Sequence, residues 1–114
     1  MYQLEVSGKI IETDNEGFLI DPADWDLDVA NKLAEQLEID MSAHHWEVVN
    51  FVRSYYEQTQ TVPEARHALK DLAEKLGKDL VNRKFLYRLF PYGYGQQACK
   101  IAGMRKPLKL MLDV

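Results

Sequence analysis

Residues 42–56 read SAHHWEVVNFVRSYY, and the spacing of their apolar side chains decides the fold class. Val48, Val49, Val52, Tyr55 and Tyr56 fall at i, i+1, i+4, i+7 and i+8, which winds them onto one broad face of an α-helix and does not fit the alternation of a strand. Ser42 stands just before the pattern, where its hydroxyl can accept from the unpaired N–H groups of a first turn. A face this wide needs apolar partners, so the spacing predicts a central helix.

On the N-terminal side, Val29, Leu33 and Leu37 recur every four residues between Asp26 and Glu38, beside Ala30 and Ala34, and predict another helix with its charges opposite. Leu4-Glu5-Val6 and Lys9-Ile10-Ile11 flank Ser7-Gly8 as two short strands around a turn, and Asp14-Asn15-Glu16-Gly17 marks a second turn. On the C-terminal side, Pro63 fits a first helical position. Ala65, Ala68, Leu69, Leu72, Ala73 and Leu76 then form a stripe that Gly77 can end in a left-handed cap. A shorter helix around Phe85 to Leu89 stops at Pro91, and another from about Gln96 to Ala102 stops at Gly103. Met104 to Val114 contains Pro107 and three cations without periodicity, and reads as an extended, mobile tail with too little apolar surface to join a core. The expected fold is mainly α, a small helical bundle with an N-terminal β-hairpin and a mobile C-terminal arm: one domain over 1–103 and the arm over 104–114.

At 114 residues and 46% hydrophobic content, the chain can fill one core. It has no apolar run near the roughly 20 residues that span a bilayer, and MYQLEVSGKI lacks the basic start and apolar centre of a secretory signal. The expectation is a soluble, cytoplasmic protein. One cysteine makes neither an internal disulfide nor a multi-cysteine metal site, so packing alone must hold the fold.

The net charge of −4 hides an asymmetry. Residues 1–77 carry 6 Lys+Arg against 16 Asp+Glu, and residues 78–114 carry 8 against 2. The basic terminal third suits an acidic protein surface or a phosphate backbone, or the two halves simply offset each other across the folded surface.

Cys99 is the one candidate thiol nucleophile. With Lys100, Arg105 and Lys106 nearby in sequence, a thiolate there would be favoured if those charges are close in space, which predicts a partly accessible and reactive thiol. The alternative is a small buried hydrophobe, the commoner state of a lone intracellular cysteine. His44 and His45 are adjacent and cannot face one ligand together, while His67 lacks a partner four residues on, so no metal site and no cofactor is expected. No G-x-S-x-G, Gly-rich phosphate loop or H-E-x-x-H occurs, which leaves hydrolase, nucleotide and zinc-protease chemistry unsupported.

Phe85-Leu86-Tyr87-Arg88-Leu89-Phe90-Pro91-Tyr92-Gly93, then Ala98-Cys99-Lys100-Ile101-Ala102-Gly103 and Lys106-Pro107, resembles the C-terminal signature of the DsrC/TusE family. DNEGFL at 14–19, Trp25, His45-Trp46-Glu47-Val48-Val49 with Arg53 and Tyr56, and Pro63 to Lys70 with Arg66 extend the resemblance over the whole chain. It implies a helical bundle with an N-terminal hairpin and an arm that enters a partner's active site and carries sulfur as a persulfide. It also implies sulfur-relay or sulfite-reductase subunits as partners, and a docking role for Lys100, Gly103, Arg105, Lys106 and Pro107. Cys99 matches the family's upstream arm cysteine. The position matching the penultimate cysteine is Leu110, followed by Met111-Leu112-Asp113-Val114, so the main sulfur-carrying thiol is absent. Tyr94-Gly95 also departs from the family's usual Pro-Ala, and Arg105 stands where proline is common.

Three functions follow from these readings. The first is a regulatory or non-carrier relative that binds the partners without carrying persulfide. The second is a sulfur-relay component, a sulfurtransferase accessory without turnover of its own, that uses Cys99 alone. The third is a nucleic-acid binder using the helices around 42–59 and 63–76 as a helix-turn-helix, against which a sequence pI of about 5.3 argues.

Overall fold

The computed structural model describes residues 2–106. Two antiparallel strands come first, β1 (Tyr2–Val6) and β2 (Lys9–Thr13), with Leu4 opposite Ile11 and Val6 opposite Lys9. Ser7 and Gly8 between them both have positive φ, 50° and 81°, the two-residue turn whose twist matches that of paired strands. Alternation then sends Leu4, Val6 and Ile11 to one face, where they are buried.

A single 3-10 turn at Pro22–Asp24 leads into α1 (Leu27–Gln36), which the Asp26 carboxylate caps by accepting from the Val29 N–H. The central helix α2 (Ala43–Thr59) buries Val48, Val49 and Val52, and Gln60 ends it in the left-handed conformation at φ 60°. α3 (Ala65–Leu76) packs on α2, and α4 (Arg83–Leu89) starts at Asn82, whose side chain accepts from the Phe85 N–H. A π-helical turn at Tyr94–Ala98 runs directly into the one-turn helix α5 (Cys99–Ile101). Among the described residues no helix is long and apolar enough to cross a membrane.

Four local expectations differ. Pro63 precedes α3 instead of opening it: the helix starts at Ala65, and the buried Pro63 uses its carbonyl to accept from the Tyr94 hydroxyl at 2.7 Å. Gly77 does take a positive φ of 100°, but ψ is 140°, so the chain leaves extended and not through a left-handed helical cap. The stretch expected as one helix over Gln96–Ala102 begins earlier, at Tyr94, with the wider π-helical winding.

The largest difference concerns the arm. Met104 is fully buried, its N–H donates to the Cys99 carbonyl at 3.0 Å, and Arg105 and Lys106 both contact the body. A boundary at Gly103 therefore cuts through packed structure. The reason is composition: Ala98, Cys99, Ile101, Ala102 and Met104 form a run of small and apolar side chains, all buried, that fills the space between α1 and α2. Deleting 104–114 would remove a core methionine, for which truncation to alanine alone typically costs about 2–5 kcal/mol. Residues 107–114, including Pro107 and Leu110, lie outside the described residues.

His45 links α2 to α4. The Ser42 N–H must donate, so His45 Nδ1 is the acceptor at 3.0 Å, and Nε2 carries the hydrogen donated to the Leu89 carbonyl at 2.9 Å. Burial lowers its pKa, partly opposed by the Leu89 carbonyl, which favours the charged ring. A depressed folded pKa contributes stability that is complete above the ordinary value of about 6.5 and is lost as pH falls below it. The melting midpoint should therefore fall between about pH 7 and pH 5 in the wild type, and His45→Gln should be flatter over the same window. Equal slopes in thermal melts of the two proteins would remove His45 as the cause.

Candidate functional site

The distinctive arrangement lies where α5 meets the 3-10 turn. A short helix leaves its last carbonyls without partners, and here two other elements supply them. Trp25 Nε1–H donates to the Ile101 carbonyl at 2.7 Å, and Arg53 Nη1 on α2 donates to the Ala102 carbonyl at 3.2 Å and the Pro22 carbonyl at 2.9 Å. The Arg53 guanidinium lies 4.5 Å from the centroid of the Trp25 ring, within cation–π range. Burial lowers the Arg53 pKa, but an arginine starts so high that it stays charged. A positive charge at a helix C-terminus is also favoured by the backbone dipoles.

Gly103 completes the packing. Its φ is +78°, and a Cβ added there would come within 2.4–2.8 Å of Trp25 Cδ1, Cγ and Cβ. Only a residue without a side chain lets the backbone pass the indole this closely.

Cys99 lies beneath this layer and is fully buried. Desolvation pushes its pKa up to about 12, while a hydrogen bond with Tyr94 pulls partly the other way. Burial raises the Tyr94 pKa well above its ordinary value as well. The expectation of a partly accessible, activated thiol is thus corrected. The three cations near Cys99 in sequence point elsewhere: Lys100 Nζ sits 5.2 Å from the Phe18 ring centroid, Arg105 Nε donates to the Ile20 carbonyl at 2.9 Å, and Lys106 pairs with Glu16. Removing a thiolate from water costs more than charges outside that shell return.

Of the residues expected to dock partners, the structure brings Lys100, Gly103, Arg105 and Lys106 together against residues 16–25, while Pro107 lies outside the described residues. Sequence reasoning missed what Trp25 and Arg53 do. Trp25 is 76 residues from its acceptor and Arg53 is 49 from the Ala102 carbonyl, so no spacing rule connects them; a lone Trp in an acidic stretch and an Arg next to a helix's apolar face were the available signals.

The histidines are all engaged in packing. His44 lies against Phe85, His45 meets Phe90 edge-on, and His67 stacks on Tyr55. Among the described residues no three His, Cys, Asp or Glu side chains are grouped to hold a metal ion.

A family model described as DsrC like protein matches residues 5–111. The chain belongs to the DsrC/TusE family. It is 47% identical over 106 residues to sulfurtransferase TusE of Yersinia pestis, covering 93% of this chain and 97% of that protein. The fold is similar to the crystal structure of the oxidized gamma-subunit of the dissimilatory sulfite reductase from Archaeoglobus fulgidus, with a TM-score of 0.87, 34% identity and coverage of 94% and 97%. It is likewise similar to the NMR structure of Allochromatium vinosum DsrC, with a TM-score of 0.83, 43% identity and coverage of 93% and 95%. A mainly helical body behind an N-terminal hairpin is thus the fold of this family.

Two measurements probe the site. Gly103→Ala should lower unfolding stability by about 2–5 kcal/mol, combining overpacking against the Trp25 ring with the cost of a side chain at positive φ, as read by urea denaturation. A loss under about 0.5 kcal/mol would mean that the indole gives way freely. With a pKa near 12, only roughly one Cys99 in 10⁵ is ionised at pH 7. Iodoacetamide should accordingly modify it at the rate of unfolding, and rapid labelling in native buffer would contradict the burial.

Proposed function

We propose that this chain is a docking member of its family: it binds sulfur-relay or sulfite-reductase proteins in the cytoplasm and does not itself carry persulfide. One observation carries the reading, the complete burial of Cys99, whose desolvation pushes the thiol pKa up to about 12. In persulfide transfer an acceptor thiolate attacks the outer sulfur of a donor persulfide, a new S–S bond forms on the acceptor, and the donor leaves as a thiolate. The attacking group must be ionised and reachable, and Cys99 is neither. Leu110, where the resemblance places the carrier cysteine, has no nucleophile to offer.

The names of the relatives support a partner of this kind. The Yersinia pestis protein is a sulfurtransferase, and the Archaeoglobus fulgidus protein is a subunit of sulfite reductase. A body that keeps the family fold around an inert thiol suits a protein that occupies such a partner's docking surface, and so regulates access to it, without turnover of its own.

The two alternatives receive less support. Cys99 as sole carrier needs the α5 layer to open before each transfer. A helix-turn-helix on α2 and α3 needs cations free to meet phosphate, whereas Arg66 pairs with Glu64, and Lys75 with Asp71 and Glu47.

The test is intact-mass spectrometry after incubation with glutathione persulfide. The wild type should gain nothing, while Leu110→Cys should gain the mass of one sulfur atom, mapped to position 110. A sulfur found on Cys99 of the wild type would replace this reading with that of an active carrier.

A further inference from the structure

The contacts made by residues 100–106 converge on one loop. Phe18 lies under Lys100 Nζ, the Ile20 carbonyl accepts from Arg105, and Glu16 pairs with Lys106, while Trp25 covers Gly103 from behind. The chain therefore runs against residues 16–25 over its last described turn and is held on both sides of Gly103.

The loop is rigid enough to act as a support. One carboxylate oxygen of Asp14, Oδ1, accepts from the Glu16 and Phe18 N–H groups at 2.8 and 3.0 Å, and the Asp14 N–H donates to the Phe18 carbonyl at 2.8 Å. Phe18 and Leu19 are buried, and the Ile20 N–H donates to the Glu12 carbonyl, which ties the loop to β2. Gly17 sits at φ +91°, and a Cβ there would lie 3.0 Å from Lys100 Cε, so the loop backbone and the lysine stem are in close register.

Taken singly these contacts are weak. An exposed ion pair contributes roughly 0–1 kcal/mol, and a cation–π contact such as that of half-buried Lys100 over buried Phe18 about 0.5–2 kcal/mol. Their alignment matters more than their sum, because three successive anchors leave a short peptide one path. We infer that the Asp14–Ile20 loop is a positioning clamp, which holds Lys100, Arg105 and Lys106 to one path along its surface, with Glu16 and Lys106 as its outermost, charge-dependent contact. The proposed function gives the clamp its use, since a sulfur-handling partner would meet these three cations already placed; the clamp itself is a property of the free chain.

Glu16 is on this view a positioning residue, and its role is separable from stability. In the full-length ¹⁵N-labelled protein, the backbone order parameters of Arg105 and Lys106 should be near the rigid value of about 0.85. In Glu16→Lys, and separately in Lys106→Glu, they should drop below about 0.6, and the double variant Glu16→Lys/Lys106→Glu should restore them. The melting midpoints of all four proteins should agree within about 4 °C, since both side chains are exposed. Order parameters unmoved by either single reversal, or unrestored by the exchange, overturn the clamp. Because no partner or sulfur donor is present, that failure is distinct from a failure of the proposed function, which is read from sulfur uptake alone.

Discussion

Arg53 stacked on Trp25 is the contact on which the rest of the site depends. It joins the middle of α2 to the 3-10 turn, through the Trp25 ring and the Pro22 carbonyl, and to the end of α5, through the Ala102 carbonyl. A three-residue helix has no intrinsic stability, since nucleation costs more than one turn returns. α5 persists because its last carbonyls are satisfied from outside and its side chains fill the core. Without the guanidinium, the Pro22 and Ala102 carbonyls would lose a charged donor, and the indole would lose the cation held over its face. Lysine would not substitute, because one flat group here serves two carbonyls and a ring face at once.

The same arrangement explains the state of the thiol. Two influences compete over Cys99: neighbouring cations, which favour the thiolate, and burial, which opposes it. Proximity in sequence suggested that the first would win. In space, α5 turns Cys99 inward toward Tyr94, while Lys100, Arg105 and Lys106 turn outward to the loop around Phe18. The cations are therefore engaged with Glu16, a backbone carbonyl and an aromatic face. Desolvation decides the outcome because it acts on the sulfur directly, and the hydrogen bond with Tyr94 offsets only part of it.

What was legible in the chain follows the range of the interactions involved. α1, α2 and α3 were readable because each carries an apolar stripe over nine or more residues, and the hairpin because Ser7-Gly8 admits positive φ. The limits of α3 were misjudged at Pro63, where a residue suited to a first turn is used instead for its carbonyl, by Tyr94 31 positions away. The π-helical turn left no trace because its 94–98 stretch, YGQQA, has no periodicity of its own; its packing on α2 and the Tyr94 bond to the distant Pro63 carbonyl are invisible in local sequence. Met104 looks like tail from the sequence, since a single apolar residue beside Arg105 and Lys106 forms no pattern. Composition around it was informative in hindsight: Ala98 to Met104 contains one charge in seven residues, an unusual run for an exposed segment.

The packing that orders residues 99–106 is independent of any reactive thiol for a physical reason. The groups that order residues 99–106 are Trp25, Arg53, Tyr94, Phe18, Glu16 and the carbonyls of Cys99, Ile101 and Ala102, and none of these contacts uses a thiol beyond position 99. A carrier cysteine is selected by reactivity, whereas the indole, the guanidinium and the glycine are held by mutual packing in which each fixes the others. The shape that this chain shares with members of its family therefore follows from packing contacts that are independent of thiol chemistry.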